Sequence, residues 1–163
     1  NYKKGEIAES KWLFWKNPKI IVAGMTKEIE ATYTESPLAI GIGVYAIYTF
    51  DRFNPKYILA LLNSKYLSYF LKINFRDKHL AGGYLAINKS TIEQLPIVEA
   101  NDKEQQSLVV IVDKILALTE LEDYPLNLGK QTKVYEYEKQ IDGMVYKLYG
   151  LADEEIEIIE NSK

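Results

Sequence analysis

The chain has 163 residues, 47% of them hydrophobic and 12% aromatic, enough to bury a core in one or two compact units and too much for an intrinsically disordered segment. It has no cysteine and one histidine, His79, which excludes a disulfide framework, a thiolate zinc site, a cysteine nucleophile and a paired-histidine metal site. The formal net charge of −3 is unevenly placed: residues 1–100 carry 13 Lys and Arg against 9 Asp and Glu, and residues 101–163 carry 7 against 14, so only the first part suits a polyanion.

No apolar run reaches the roughly 18 residues of a membrane span, and residues 38–50 are short and interrupted by Gly41 and Gly43. The start, Asn1-Tyr2-Lys3-Lys4-Gly5-Glu6, lacks an initiator Met and the layout of a signal peptide, and reads as a boundary inside a longer protein. With no cysteine, the expected compartment is the cytoplasm.

In chain order, Lys11-Trp12-Leu13-Phe14-Trp15-Lys16 has an aromatic-rich strand composition. Asn17-Pro18 is a turn signal before a second strand at residues 19–24, so a hairpin is expected. Residues 29–34 and 43–50 alternate like half-buried strands, separated by the breaker Glu35-Ser36-Pro37. Asn54 as cap with Pro55 at the first position opens a helix whose apolar residues Ile58, Leu61, Leu62, Tyr66, Tyr69 and Phe70 share one face, suited to cover the sheet. Gly82-Gly83 ends an irregular basic stretch and residues 84–87 read as a short strand. Ser90-Thr91-Ile92-Glu93 has the capping-box form that opens a short helix before Leu95-Pro96-Ile97.

Beyond Pro96 the pattern becomes long helices. Asn101-Asp102-Lys103-Glu104 is a variant capping box, followed by Leu108, Ile111, Ile115 and Leu118 at coiled-coil spacing. Residues 124–129 make a bend, and Val134, Tyr137, Ile141, Met144 and Leu148 mark a second helix. Gly150 is placed to end it, and residues 153–160 form a short acidic third helix. The expected fold is α+β: a twisted, mostly antiparallel sheet with a covering helix over residues 1–100, then a C-terminal helical hairpin over 101–163. The stripes are about two to three heptads long, which suits a bundle packed on its neighbour as well as a spacer coiled coil.

Catalytic signals are weak. Gly41-Ile42-Gly43 lies between strands with no helix following, which favours a tight turn over cofactor binding. Asn54-Pro55-Lys56-Tyr57 is better explained as a helix cap than as a clamp for an extruded base. Glu9-Ser10-Lys11 is the one Glu-x-Lys spacing and lacks an upstream acidic partner, and His79 reads as a surface or phosphate-contacting residue. The remaining signal is the stretch from Lys72 through Asn74, Arg76, Lys78 and His79 to Gly82-Gly83-Tyr84, with Asn88-Lys89 close behind. Cations for phosphates, amides for adenine edges and glycines for close backbone approach suit a loop that faces DNA, although a solvated helix end and loop has the same composition.

The order Pro18-Lys19-Ile20-Ile21-Val22, Leu61-Leu62-Asn63-Ser64-Lys65, Gly82-Gly83, then Leu95-Pro96-Ile97 resembles the TaqI-like C-terminal specificity domain, a family related to the target-recognition domains of type I specificity subunits. Ile141-Asp142-Gly143-Met144-Val145-Tyr146-Lys147-Leu148-Tyr149-Gly150-Leu151 is similar to the helix that closes many such enzymes. The resemblance implies a prokaryotic restriction-modification protein in which this part reads double-stranded DNA in the major groove. A separate catalytic domain of the same parent, using S-adenosylmethionine, would methylate adenine, with Mg required if the parent also cleaves DNA. No cofactor or metal is expected in this part, nor any catalytic residue.

Two departures from the family pattern stand out: Ala23-Gly24 replaces an Arg that members often carry after the Pro-Lys-Ile strand, and Val98 replaces a Pro after Leu-Pro-Ile. The first shifts the expected phosphate grip to Lys16 and Lys27. Candidate DNA contacts are Lys16, Lys27, Arg76, Lys78 and Lys89 for phosphate or guanine, and Asn74 and Asn88 for adenine. The competing reading is a non-enzymatic protein-interaction scaffold using the acidic helical hairpin, which predicts an exposed apolar patch on the helices.

Overall fold

The computed structural model describes residues 9–75 and 81–162. The first element is a helix, α1 (Glu9–Lys16), where the aromatic composition predicted a strand, so the expected hairpin with residues 19–24 does not form. Two features favour the helix. Glu9 in the first turn and Lys16 in the last complement its dipole. At its C-terminal end the Trp15 carbonyl accepts from the buried Lys19 ammonium at 2.9 Å and from the Leu38 N–H at 3.0 Å. Burial pulls the Lys19 pKa below the ordinary lysine value.

Strand β1 (Lys19–Ala23) buries Ile20 and Val22. A two-residue strand, β2 (Met25–Thr26), leaves its line at Gly24. β1 pairs antiparallel with β3 (Ala31–Thr34), Ile20 opposite Tyr33, and with β4 (Val44–Ile47), Ile20 opposite Ile47, giving the order β3-β1-β4. Both edges of β1 are therefore occupied, so residues 11–16 cannot pair with it as a hairpin. Gly43, at φ +89°, makes the turn into β4, as its sequence context suggested.

The covering helix is present but broken. Asn54 caps α2 (Pro55–Leu62) by accepting from the Lys56 N–H, as expected, yet the helix stops at Asn63 and α3 (Lys65–Asn74) restarts after Ser64, whose hydroxyl accepts from the Leu67 N–H at 3.3 Å. The break has a function in the fold. The Asn63 carboxamide pairs with both backbone groups of Ala31, donating to its carbonyl at 2.9 Å and accepting from its N–H at 2.8 Å. It thereby occupies the outer edge of β3.

After a 3₁₀ turn at Ala81–Gly83, β5 (Leu85–Ala86) pairs with β2. The short helix α4 (Lys89–Ile92) follows; its capping box uses Asn88 and Thr91, two residues before the predicted one, because Thr91 is the side chain within reach of the cap. The capping box at Asn101 and Glu104 forms as read from the sequence, with reciprocal bonds of 3.0 Å, and opens α5 (Asp102–Thr119). Residues 124–126 form a 3₁₀ turn into α6 (Leu128–Leu148). Gly150, at φ +65°, ends that helix before α7 (Asp153–Asn161). The fold is α+β, with small antiparallel sheets, a covering helix and a C-terminal helical hairpin.

One apolar core runs from β1 through α2 and α3 to α5 and α6, including Val22, Leu61, Leu67, Leu108, Val112 and Val145. Burying a side chain of this size contributes about 1.5–3 kcal/mol, so the hairpin's apolar stripe is spent largely on packing against the first part.

Candidate nucleic-acid interface

The ribbon formed by β2 and β5 is short, and its two faces differ. The pair Thr26 and Leu85 points inward, 7% and 0% exposed, whereas Met25, opposite Ala86, is 63% exposed. Continuing the register places Lys27 opposite Tyr84 on the Met25 face, and the Lys27 Nζ lies 5.7 Å from the Tyr84 ring centroid. Gly82 and Gly83, at φ +77° and +78°, lead into Tyr84; at Gly83 an added Cβ would meet nothing, so conformation rather than space demands glycine there.

Gly24 fixes this ribbon to the main sheet. Its N–H donates to the Gly43 carbonyl at 2.8 Å and its carbonyl accepts from the Ile87 N–H at 2.9 Å. A Cβ at position 24 would lie 2.8 Å from the Gly43 oxygen, closer than real packing allows. The departure from the family pattern at Ala23-Gly24 therefore coincides with a backbone junction that only glycine fits.

The predicted site residues fall in several places. Lys16 is exposed at the end of α1, its Nζ 5.7 Å from the Trp12 ring centroid. Lys27 lies beyond the other end of β1, so the strand separates the two. Neither has an acidic partner among the described residues. Lys89 lies against the outer edge of β4, near Tyr45 and Tyr48, and its Nζ is 3.6 Å from Glu93. The Asn88 carboxamide oxygen is committed to the α4 cap, and the exposed Asn74 amide donates to the Phe70 carbonyl of its own helix at 2.9 Å. Arg76, Lys78 and His79 lie outside the described residues. Sequence reasoning did not single out Met25 and noted Tyr84 only as part of a basic stretch; the pairing of Met25 with Ala86 across about sixty residues leaves no local signature.

Other cations of the first part are neutralised by the helices. Lys56 meets Asp113 at 2.5 Å, and Lys65 meets Glu160 at 2.5 Å. The Lys65 N–H, at the start of α3, donates to the buried Asp142 carboxylate at 2.9 Å, and the Tyr146 hydroxyl donates to Glu160 at 2.8 Å. Burial, with Glu160 and Glu138 nearby, pushes the Asp142 pKa up to about 6. The Tyr149 hydroxyl donates to the Pro96 carbonyl and that of Tyr57 to the Val98 carbonyl. These contacts explain the motifs around 61–65, 95–97 and 141–151 as one clasp.

A crevice of about 280 Å³ between β3, α2, α5 and α6 is lined mainly by apolar side chains such as Leu59, Val112, Ile115 and Ile141, with Glu138 its one carboxylate. Among the described residues no three acidic or histidine groups are placed to hold a metal ion, and no helix is long and apolar enough to cross a membrane.

Comparison with curated proteins gave no match. The family model of the TaqI-like C-terminal specificity domain matches residues 1–97, the span that contains the main sheet, α2, α3, the ribbon and the Leu95-Pro96-Ile97 clasp. A specificity domain is non-catalytic by itself, and its role is recognition of DNA sequence in restriction-modification systems. The chain belongs to the TaqI-like C-terminal specificity domain family.

Proposed function

We propose that this chain is the DNA-reading part of a restriction-modification adenine methyltransferase of prokaryotic cytoplasm. It binds double-stranded DNA while a catalytic domain of the same parent extrudes and methylates the target base. S-adenosylmethionine would be held by that other domain. Among the described residues the glycine-rich candidate at 41–43 is an exposed turn followed by β4 rather than a helix, which does not fit a cofactor cradle. Cleavage by the parent, and its Mg requirement, belong to the same proposal.

The observation that carries this reading is the sorting of lysines. Lys56 and Lys65 are paired with acids of the helices, whereas Lys16 and Lys27 are exposed and have no ion pair among the described residues; each lies beside an aromatic ring. Lysine with an aromatic neighbour suits phosphate and base contact. Lys16 and Lys27 are assigned first, with Arg76, Lys78 and Lys89 as further cations and Asn74 and Asn88 as further amides.

Binding of the chain to a randomised duplex library at low salt tests this. Enrichment of a short motif, with affinity falling at a log–log slope of about −3 to −5 in salt, corresponds to roughly three to six neutralised phosphates. Absence of both contradicts it. A second reading, a protein contact through the hairpin, is favoured by the apolar bend, where Leu126 and Leu128 are 91% and 77% exposed. Self-association or partner capture that Leu126→Asp abolishes, without any DNA binding, would establish that reading instead.

A further inference from the structure

We infer that the outer face of the β2–β5 ribbon is the base-reading element. Met25 and Tyr84 form an apolar contact with the 5-methyl group of a thymine in the major groove, and Lys27 is the cation beside them. The inference rests on the DNA-reading role proposed above and specifies the residues that set sequence preference.

Four observations lead to it. A two-stranded ribbon fits the width of the major groove, and this one is joined to the main sheet through the two Gly24 backbone bonds. Its inward pair, Thr26 and Leu85, is buried, which fixes the register and forces Met25 outward. A methionine left 63% exposed beside a Tyr that is 41% exposed is an apolar surface the fold itself does not use. The nearest acid in sequence, Glu28, meets Lys72 at 3.8 Å, and among the described residues no ion pair joins Lys27 to a carboxylate.

The glycines add the means of approach. Gly82 and Gly83 place bare, exposed backbone immediately before Tyr84, where side chains would hold a duplex away. Apolar side chains read thymine through its methyl group, the one apolar feature of a base edge in that groove. Phosphate contacts such as Lys16 position the duplex and carry no sequence information.

The test uses the 163-residue chain in duplex-library selections with wild type, Met25→Ala, Tyr84→Ala and Lys16→Ala, followed by thymine-to-deoxyuridine replacement at each position of the selected site. Met25 is exposed, so Met25→Ala keeps the fold even if Tyr84→Ala does not, and thermal melting checks both. The expected result is a wild-type site containing a thymine whose replacement by deoxyuridine weakens binding about 3- to 10-fold, the scale of one buried methyl. Met25→Ala loses both that preference and that sensitivity, while Lys16→Ala weakens binding to all sequences alike. Unchanged preference in Met25→Ala and Tyr84→Ala, or a selected site insensitive to every deoxyuridine replacement, overturns the ribbon assignment and leaves the DNA-reading role standing. Failure of the wild-type chain to select any duplex overturns both.

Discussion

At the junction of α3, α6 and α7, charged and polar groups are matched: Asp142 accepts from the Lys65 N–H, the Lys65 ammonium meets Glu160, and Glu160 also accepts from Tyr146. At the β2–β5 ribbon two side chains are left unmatched, with Met25 63% exposed and Lys27 beside the Tyr84 ring without an ion pair among the described residues. The same chain thus satisfies its polar groups where they hold the fold together and leaves them open where another molecule can complete them. Substitutions at the junction should change stability with little effect on sequence preference, and substitutions on the ribbon should do the reverse.

The largest expected effect is at the junction. Leu67, fully buried in the first turn of α3, should cost about 2–5 kcal/mol when changed to Ala, read as a lower denaturation midpoint. The selected DNA motif should be unchanged under conditions where the variant remains folded.

Asp142 makes the junction pH-dependent. Its folded pKa of about 6 lies above the ordinary 3.8, so the folded state holds this proton more tightly than the unfolded chain. The stabilisation this confers is complete below about pH 4 and is lost as pH rises through about 6, amounting to about 3 kcal/mol. Asp142→Asn keeps an oxygen for the Lys65 N–H and removes the titration. Urea melts of this variant should lose the slope between about pH 4 and 6 and show higher stability than wild type at pH 7; an unaltered slope would assign the titration to another group.

Gly24→Ala breaks the link between the two regions. The methyl group would press on the Gly43 carbonyl, and overpacking of this kind costs about 1–3 kcal/mol. Unlike Leu67→Ala, it should also blur the DNA preference, because the ribbon would tilt on its support. The smallest stability effect is at Met25. Met25→Ala should shift stability by less than about 0.5 kcal/mol while changing which duplex is selected.

The contrast also separates what was legible in sequence from what was not. Local signals held: Asn54 and Asn101 cap helices, Gly43 makes a turn, and Gly150 ends α6. Each depends on neighbours within a few residues. The hairpin stripes were equally readable, but they left packing on a neighbour and a spacer coiled coil open; in the structure α5 packs on α2 and α6 on α5 and α3. Residues 11–16 misled because aromatic composition favours strands only when an edge is available, and both edges of β1 are taken by β3 and β4. The break at Asn63-Ser64 was hidden inside a continuous apolar period, although Asn-Ser before a new apolar run is a capping signal.

The ribbon was least legible. Met25 and Ala86 are far apart in sequence and meet only because Gly24 joins two sheets. Lys16 and Lys27 were proposed from charge and position and are exposed, while Asn74 and Asn88 spend part of their hydrogen-bonding capacity on their own helices.

The most direct test of the DNA-reading account is to record amide chemical-shift changes of the 163-residue chain on titration with the selected duplex. The account requires the largest changes around Met25, Lys27 and Tyr84 and at the end of α1 near Lys16, with the Asp142–Lys65–Glu160 junction undisturbed. Changes confined to α5, α6 and α7, with none on the ribbon, would contradict it.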